Sequence, residues 1–210
     1  MEAKPIPFAG QHSYQVREIF RFKSSVSKKE FTSFFSKFGF VNSPISKSEY
    51  FWLDTSTEPC TSQLFSAFKR LRIKRKDEKY WLQYKTPILP SPTNDFYFKT
   101  YEEQKWKLET SIAQKIVSQG YARSSEFPGS CVLDFARFEV FAISTCEKRK
   151  IRNGDLEIIV EQFQKAGDYC HYQLEIRSPD PVSILRFRTQ LEQEVEIRKP
   201  ISKLNYIWEK

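Results

Sequence analysis

Residues 71–85 read LRIKRKDEKYWLQYK, and this stretch decides the fold class. With Phe68–Arg70 in front of it, Arg70, Arg72, Lys74 and Lys76 fall on one face of an extended chain and Leu71 and Ile73 on the other, a period of two that specifies a β-strand. Asp77–Lys79 is a short charged turn, and Tyr80–Lys85 is a second strand rich in aromatic residues. The pair is a β-hairpin with one strongly basic face.

Similar patterns extend in both directions. Residues 13–23, SYQVREIFRFK, alternate between Tyr14, Val16, Glu18, Phe20 and Phe22 on one side and Ser13, Gln15, Arg17, Ile19, Arg21 and Lys23 on the other, giving a strand with one oily and one largely basic face. Ser27, with Glu30 three residues on, is a capping-box start for a helix through Lys37 that carries Phe31, Phe34 and Phe35 on one stripe and stops at Gly39. Glu49–Asp54 reads as a strand and Thr55–Ser62 as a loop. Prolines 87, 90 and 92 make residues 87–94 a loop, and residues 95–103 resume an extended pattern. Lys105–Gln119 places Trp106, Ile112, Ala113, Ile116 and Val117 at near-helical spacing before Gly120. Phe135–Cys146, Glu147–Arg152, Leu156–Phe163 and Tyr169–Arg177 are strand candidates, and Asn153-Gly154 is a hairpin signal. Asp180-Pro181 opens a final helix to about Glu196. The tally of roughly eight strands and three helices predicts an α+β fold, an eight-stranded antiparallel β-barrel or strongly curved sheet with peripheral helices, over residues 1–210 as one domain.

Composition narrows the partner. A net charge of +8 favours an anionic ligand: nucleic acid, a phosphate-rich small molecule or an acidic surface. No apolar run reaches the roughly 20 residues of a membrane span, and Met1–Gln11 lacks the charged-then-apolar order of a secretory signal, so a cytoplasmic monomer is expected. Cys60, Cys131, Cys146 and Cys170 stand far apart with only His12 and His171 as nitrogen donors, which argues for free thiols and against zinc. Trp81, Phe68 and the other aromatics lie at strand spacing without the glycines of an RNA-recognition motif, which makes them core residues and nucleic acid the lesser alternative.

An eight-stranded barrel has room for side chains or one small ligand. Turned outward, the basic faces would be ordinary solvated surface. Turned inward, Arg17, Arg21, Arg72, Lys74, Lys85 and Arg149 converge, and so many enclosed cations require an anion of comparable charge such as a triphosphate. His171 shares a face with Gln173 and Glu175; it is read either as a general base or as an ordinary strand histidine.

Five segments in order resemble the CYTH or triphosphate-tunnel family. Leu71–Lys85 resembles its Arg-x-Arg hairpin ending in Lys; KSEYFWLDT (Lys47–Thr55) its tyrosine-rich strand ending in Asp-Thr; Glu147–Phe163 its later hairpin with a basic and then an acidic strand; YQLEI (Tyr172–Ile176) its Glu-x-Glu strand. PISKLNYIW (Pro200–Trp208) is similar to the C-terminal Ser-Lys-aromatic element of thiamine triphosphatases. The resemblance implies a tunnel that binds a linear triphosphate and hydrolyses its terminal phosphate with Mg²⁺ or Mn²⁺. It implies phosphate-binding roles for Arg21, Arg72, Lys74, Lys85, Arg149 and Lys203, catalytic roles for Glu102, Glu161 and Glu175, and metal ligation by Glu161 and Glu175. A metal-assisted phosphoryl transfer needs those parts: cations on the oxygens and a carboxylate-held ion.

The sequence departs from the family pattern in places that bear on the metal. Arg17-x-Ile19-x-Arg21 stands where the family has Glu-x-Glu-x-Lys, Gln173 replaces the first carboxylate of the Glu-x-Glu strand, and Glu161 stands where Asp is usual. A one-residue shift would recover Glu18 but turn the oily face inward. Thiamine triphosphate is the leading substrate; inorganic triphosphate, an RNA 5′-triphosphate and a tunnel that binds without turnover are the alternatives.

Overall fold

The computed structural model describes residues 20–58, 60–67, 69–87, 101–128, 135–167, 170–196, 198 and 203–208. The hairpin read from Leu71–Lys85 is present as β3 (Arg70–Lys76) and β4 (Lys79–Pro87). Its two-residue turn puts Asp77 at φ 50° and Glu78 at φ 57°. Both central residues thus have the positive φ of the hairpin turn whose twist matches the strands. The Asn153-Gly154 signal is also realised: β7 (Arg137–Asn153) returns through Gly154-Asp155 into β8 (Leu156–Lys165), with Gly154 at φ 57°.

The remaining strands are β1 (Phe20–Val26), β2 (Ser46–Asp54), β5 (Tyr101–Leu108), β6 (Tyr121–Arg123) and β9 (Cys170–Ser178). All pairings are antiparallel, in the order β1-β9-β8-β7-β2-β3-β4-β5, with β6 branching from β7. β1 and β5 are the ends of this path and do not pair with each other among the described residues, which form one curved antiparallel sheet.

One face is oily and covered by helices. Phe51, Leu53, Leu71, Ile73 and Leu82 pack under Ala113 and Ile116 of α3 (Thr110–Gln119). Phe22, Ile158, Val160, Leu174 and Ile176 pack under Phe31 of α1 (Lys28–Lys37) and Ile184 and Leu191 of α4 (Pro181–Glu192). The caps are those the sequence specifies. Glu30 accepts the Ser27 amide at 2.5 Å while Ser27 Oγ accepts the Glu30 amide at 3.2 Å, and Asp180 accepts the amides of Val182 and Ser183, both at 3.0 Å. A short α2 (Gln63–Ser66) follows β2, its Leu64 and Phe65 amides held by the buried Asp54 carboxylate.

The opposite, inner face carries polar and charged residues and a third cluster. Tyr50, Trp52, Ala142, Cys146 and Phe163 pack there against Ile207 and Trp208 of α5 (Lys203–Trp208), whose Trp208 ring stacks on Phe141 at 3.9 Å. This helix therefore fills part of the inner face and carries Lys203 onto it.

Several boundaries differ from the sequence reading. Lys105–Leu108 is strand, not helix, because Lys105 and Lys107 alternate with the apolar Trp106 and Leu108 and pair with β4. The two candidates 135–146 and 147–152 are one strand of 17 residues. α4 ends at Glu192 rather than Glu196. Arg17, Glu18, Ile19, Cys131, His12 and the 95–100 segment lie outside the described residues.

Candidate functional site

Because cross-strand partners share a face, the β3-β4-β5 register builds three inner layers. They are Arg70, Lys85 and Glu103; Arg72, Gln83 and Lys105; and Lys74, Trp81 and Lys107. On β2, Trp52 stands opposite Arg72 and Tyr50 opposite Lys74. The period-two alternation is what delivers three basic layers to one side.

These side chains are held rather than loose. Arg72 Nε donates to Gln83 Oε1 at 2.9 Å, and Gln83 Nε2 donates to Glu103 Oε1 at 3.0 Å. The Arg72 guanidinium lies 4.3 Å from the Tyr50 ring centroid and 5.2 Å from that of Trp52, whose Nε1 donates to Ser144 Oγ at 2.8 Å. Lys85 pairs with Glu103 at 2.7 Å. Neither Arg72 nor Lys74 has a carboxylate partner among the described residues; Lys74 Nζ rests 6.0 Å from the Tyr50 ring.

Electrostatics register that surplus. Burial, and after it the Arg72 guanidinium, push Lys85 down to about 7 against the pull of Glu103. Burial also lowers Lys74, with Lys148, Arg72 and Lys105 adding repulsion to an opposing pull from Tyr50. The Tyr50 hydroxyl, which burial would raise, is lowered by Arg72 and Lys148.

The other half of the inner face is a carboxylate-centred network. Glu161 on β8 is 1% exposed and is bridged both by Lys148, its cross-strand neighbour on β7, and by Lys203 of α5. Glu175 on β9 is 2% exposed and is bridged by Lys23 of β1 at 3.3 Å and by Arg177 Nε at 2.8 Å. Arg177 also reaches Glu157 at 3.2 Å. Burial would raise both inner carboxyls, but Lys148 and Lys203 hold Glu161 well below its ordinary value and Lys23 and Arg177 hold Glu175 low. Lys148, which burial would lower, is instead raised, chiefly by Glu161.

Of the residues singled out from sequence, Arg72, Lys74, Lys85, Glu161, Glu175 and Lys203 share this face. Arg149 does not. It pairs with Val160 on the oily side and donates to the carbonyls of Phe40 at 3.2 Å and Ser43 at 3.1 Å, tying down the 3-10 turn Phe40–Asn42. Lys148, one residue earlier, takes the inner position; the run Glu147-Lys148-Arg149-Lys150 puts cations on both parities, so alternation alone could not choose between them. Arg149→Met is accordingly expected to lower stability by about 1–3 kcal/mol through the loss of two guanidinium–carbonyl hydrogen bonds, with anion affinity unchanged, as read by thermal melts and calorimetry side by side.

Glu102 stands opposite Thr86, at the register position alternate to the inner Lys85–Glu103 pair, and its side chain lies outside the described residues. Glu103 is the inner carboxylate of β5. Arg21 occupies the register position opposite Arg177, two residues before the inner Lys23, with its own side chain likewise outside the description. Lys23, Lys148, Arg177, Gln83 and Glu103 were missed; parity with Arg21 and Glu175 was the signal available for Lys23 and Arg177. His171 packs on Tyr206 of α5, ring centroids 5.7 Å apart, and sits 3.5 Å from Ser25 Oγ. Cys60, Cys146 and Cys170 are free thiols.

An antiparallel sheet with helices outside and convergent cations inside is the CYTH-like tunnel fold, and the chain has that fold. Solved structures agree along nearly the whole chain. A Bacillus halodurans protein provisionally named an adenylate cyclase superposes with TM-score 0.71 at 15% identity, over 90% of this chain and 97% of that one. A Hippeastrum protein, provisionally named an adenylyl cyclase and described as having a dominant triphosphatase activity, gives 0.63 at 17% identity over 90% and 94%. A Pyrococcus horikoshii protein gives 0.51 at 13% identity over 90% and 99%. No family model and no curated protein matches the sequence.

The divalent ion that the resemblance implies finds a poor donor set. Among the described residues no three His, Cys, Asp or Glu side chains gather as metal ligands. The two carboxylates assigned to the ion, Glu161 and Glu175, each already carry two cations, and Gln173 replaces a third. These residues do not fit a resident metal.

Proposed function

We propose that the inner face binds the linear triphosphate of a soluble compound and releases its terminal phosphate, with thiamine triphosphate and inorganic triphosphate as candidate substrates. The observation that carries this reading is the pair Arg72 and Lys74, cations on the inner face without carboxylate partners among the described residues, beside a Lys85 driven down to about 7. An anion of several charges would neutralise all three and restore the Lys85 proton. Phosphoryl transfer is largely positioning and charge neutralisation, which fixed guanidinium and ammonium groups provide. Gln83 and the Tyr50 ring fix Arg72 in place, so little ordering would be left for the ligand to impose. The triphosphatase activity described for the Hippeastrum protein of the same fold supports the reaction class.

Binding without turnover is the second reading, and the pairing of both inner carboxylates with cations favours it. Phosphate release from thiamine triphosphate, inorganic triphosphate and ATP, measured with Mg²⁺, Mn²⁺ or chelator, separates the two. Release that falls at least tenfold in an Arg72→Ala/Lys85→Ala variant is the result expected of a hydrolase. Absence of release, with triphosphate binding that the same variant loses, would leave a binding protein.

A further inference from the structure

The carboxylates that would hold a metal are bridged by the protein's own cations. Glu161 has Lys148 and Lys203; Glu175 has Lys23 and Arg177. Four positive groups on two carboxylates leave a surplus of two charges, that of one divalent ion. Glu157, nearer to solvent, shares Arg177 and has its own partners in Lys150 at 3.1 Å and Arg152 at 3.9 Å. The four cations come from separate elements, β1, β7, β9 and α5, and converge on two carboxylates that are 1% and 2% exposed.

We propose that Lys23, Lys148, Lys203 and Arg177 stand in place of the divalent metal, so that this site takes a triphosphate as the metal-free anion and not as its Mg²⁺ complex. The proposal rests on the reading of the inner face as a triphosphate site. A divalent ion entering here would have to displace ammonium groups from carboxylates, leaving those ammoniums enclosed without counter-charge next to Arg72 and Lys74. A free triphosphate instead adds the negative charge the face lacks. Lysine carries three donors on a flexible stem, so Lys148 and Lys203 can each keep a carboxylate oxygen and still offer N–H groups to a phosphate.

Two measurements on the intact chain test this. Calorimetric titration with inorganic triphosphate in chelator is expected to give a saturable single site, and an excess of Mg²⁺ over ligand is expected to weaken it at least tenfold by occupying the phosphate oxygens. Titration with Mn²⁺ alone, followed by electron paramagnetic resonance, is expected to show no protein-bound ion. In a Lys23→Met/Lys203→Met variant, which removes one cation from each carboxylate, Mn²⁺ binding should appear while triphosphate affinity in chelator drops tenfold or more. Triphosphate binding that requires Mg²⁺, or stoichiometric Mn²⁺ on the unaltered chain, would overturn the proposal while sparing the triphosphate site itself. No triphosphate binding under either condition would remove the site and the proposal together.

Discussion

Glu161→Gln is expected to lower the thermal midpoint by roughly 6–20 °C. The carboxylate is 1% exposed and bridges Lys148 and Lys203, so its neutral replacement leaves two enclosed ammonium groups without a counter-charge. Breaking one side of a buried ion pair costs about 3–5 kcal/mol, and in a chain of this size each kcal/mol moves the midpoint by about 2–4 °C. The lower part of the range is favoured, because 23% of the Lys148 side chain and 13% of that of Lys203 still meet solvent. Removing all three charges together, in Glu161→Leu/Lys148→Met/Lys203→Met, should recover most of the stability, since an apolar replacement of a whole buried network is often neutral or better. The network is thus read as a site kept for its ligand. Differential scanning calorimetry of the single and triple variants checks this, and a single variant as stable as the parent would contradict it.

Lys85→Arg is expected to abolish a pH dependence of triphosphate binding, and Lys85→Met to weaken binding about 10–100-fold at pH 6, the loss of one charge-assisted hydrogen bond. Lys85 faces Arg70 and Arg72 on β3 and Glu103 on β5. With its folded value lowered to about 7 from an ordinary 10.5, it is protonated below pH 7 in folded and unfolded chains alike. Above pH 7 only the unfolded chain keeps the proton, so this group's contribution to stability rises with pH from about 7 toward 10.5. Bound triphosphate raises the Lys85 value again, so binding above pH 7 takes up a proton and affinity declines by up to about tenfold per pH unit. Calorimetry in two buffers of different ionisation enthalpy measures that uptake directly. Equal pH slopes in the parent and Lys85→Arg would assign the dependence to the ligand's own ionisation.

The hairpin 70–87 was legible because its alternation is clean: Leu71, Ile73 and Leu82 allow only one face to be oily, which fixes Arg72, Lys74 and Lys85 on the other. Of the first strand read at 13–23, the described β1 (Phe20–Val26) shares Phe20–Lys23; there Phe22 on the oily side leaves Lys23 inward, on the basic face with Arg21, although Arg21 alone was assigned to the phosphate. Where both parities carry charge the signal fails. Lys148 and Arg149 cannot be told apart without knowing that Arg149 has the Phe40 and Ser43 carbonyls to cap, and Glu102 and Glu103 differ only through the β4 register. Trp106 misled the helix boundary because its spacing to the true helix residues Ile112 and Ala113 suits either period. β7 was divided because 17 residues exceed an ordinary strand. The helical state of Lys203–Trp208 has no propensity signal comparable to its packing, where Ile207 and Trp208 complete an apolar cluster on the inner face. Tertiary contact, not local preference, sets that element.

The central claim is that inner-face cations bind a linear triphosphate, and the most direct measurement is calorimetric titration of inorganic triphosphate into the parent chain and the Arg72→Ala/Lys85→Ala variant across a salt series. The account predicts one saturable site in the parent, weakened at least a hundredfold in the variant and only modestly by salt. Binding that the variant retains, and that falls steeply with salt as many exposed charges release counterions, would contradict it.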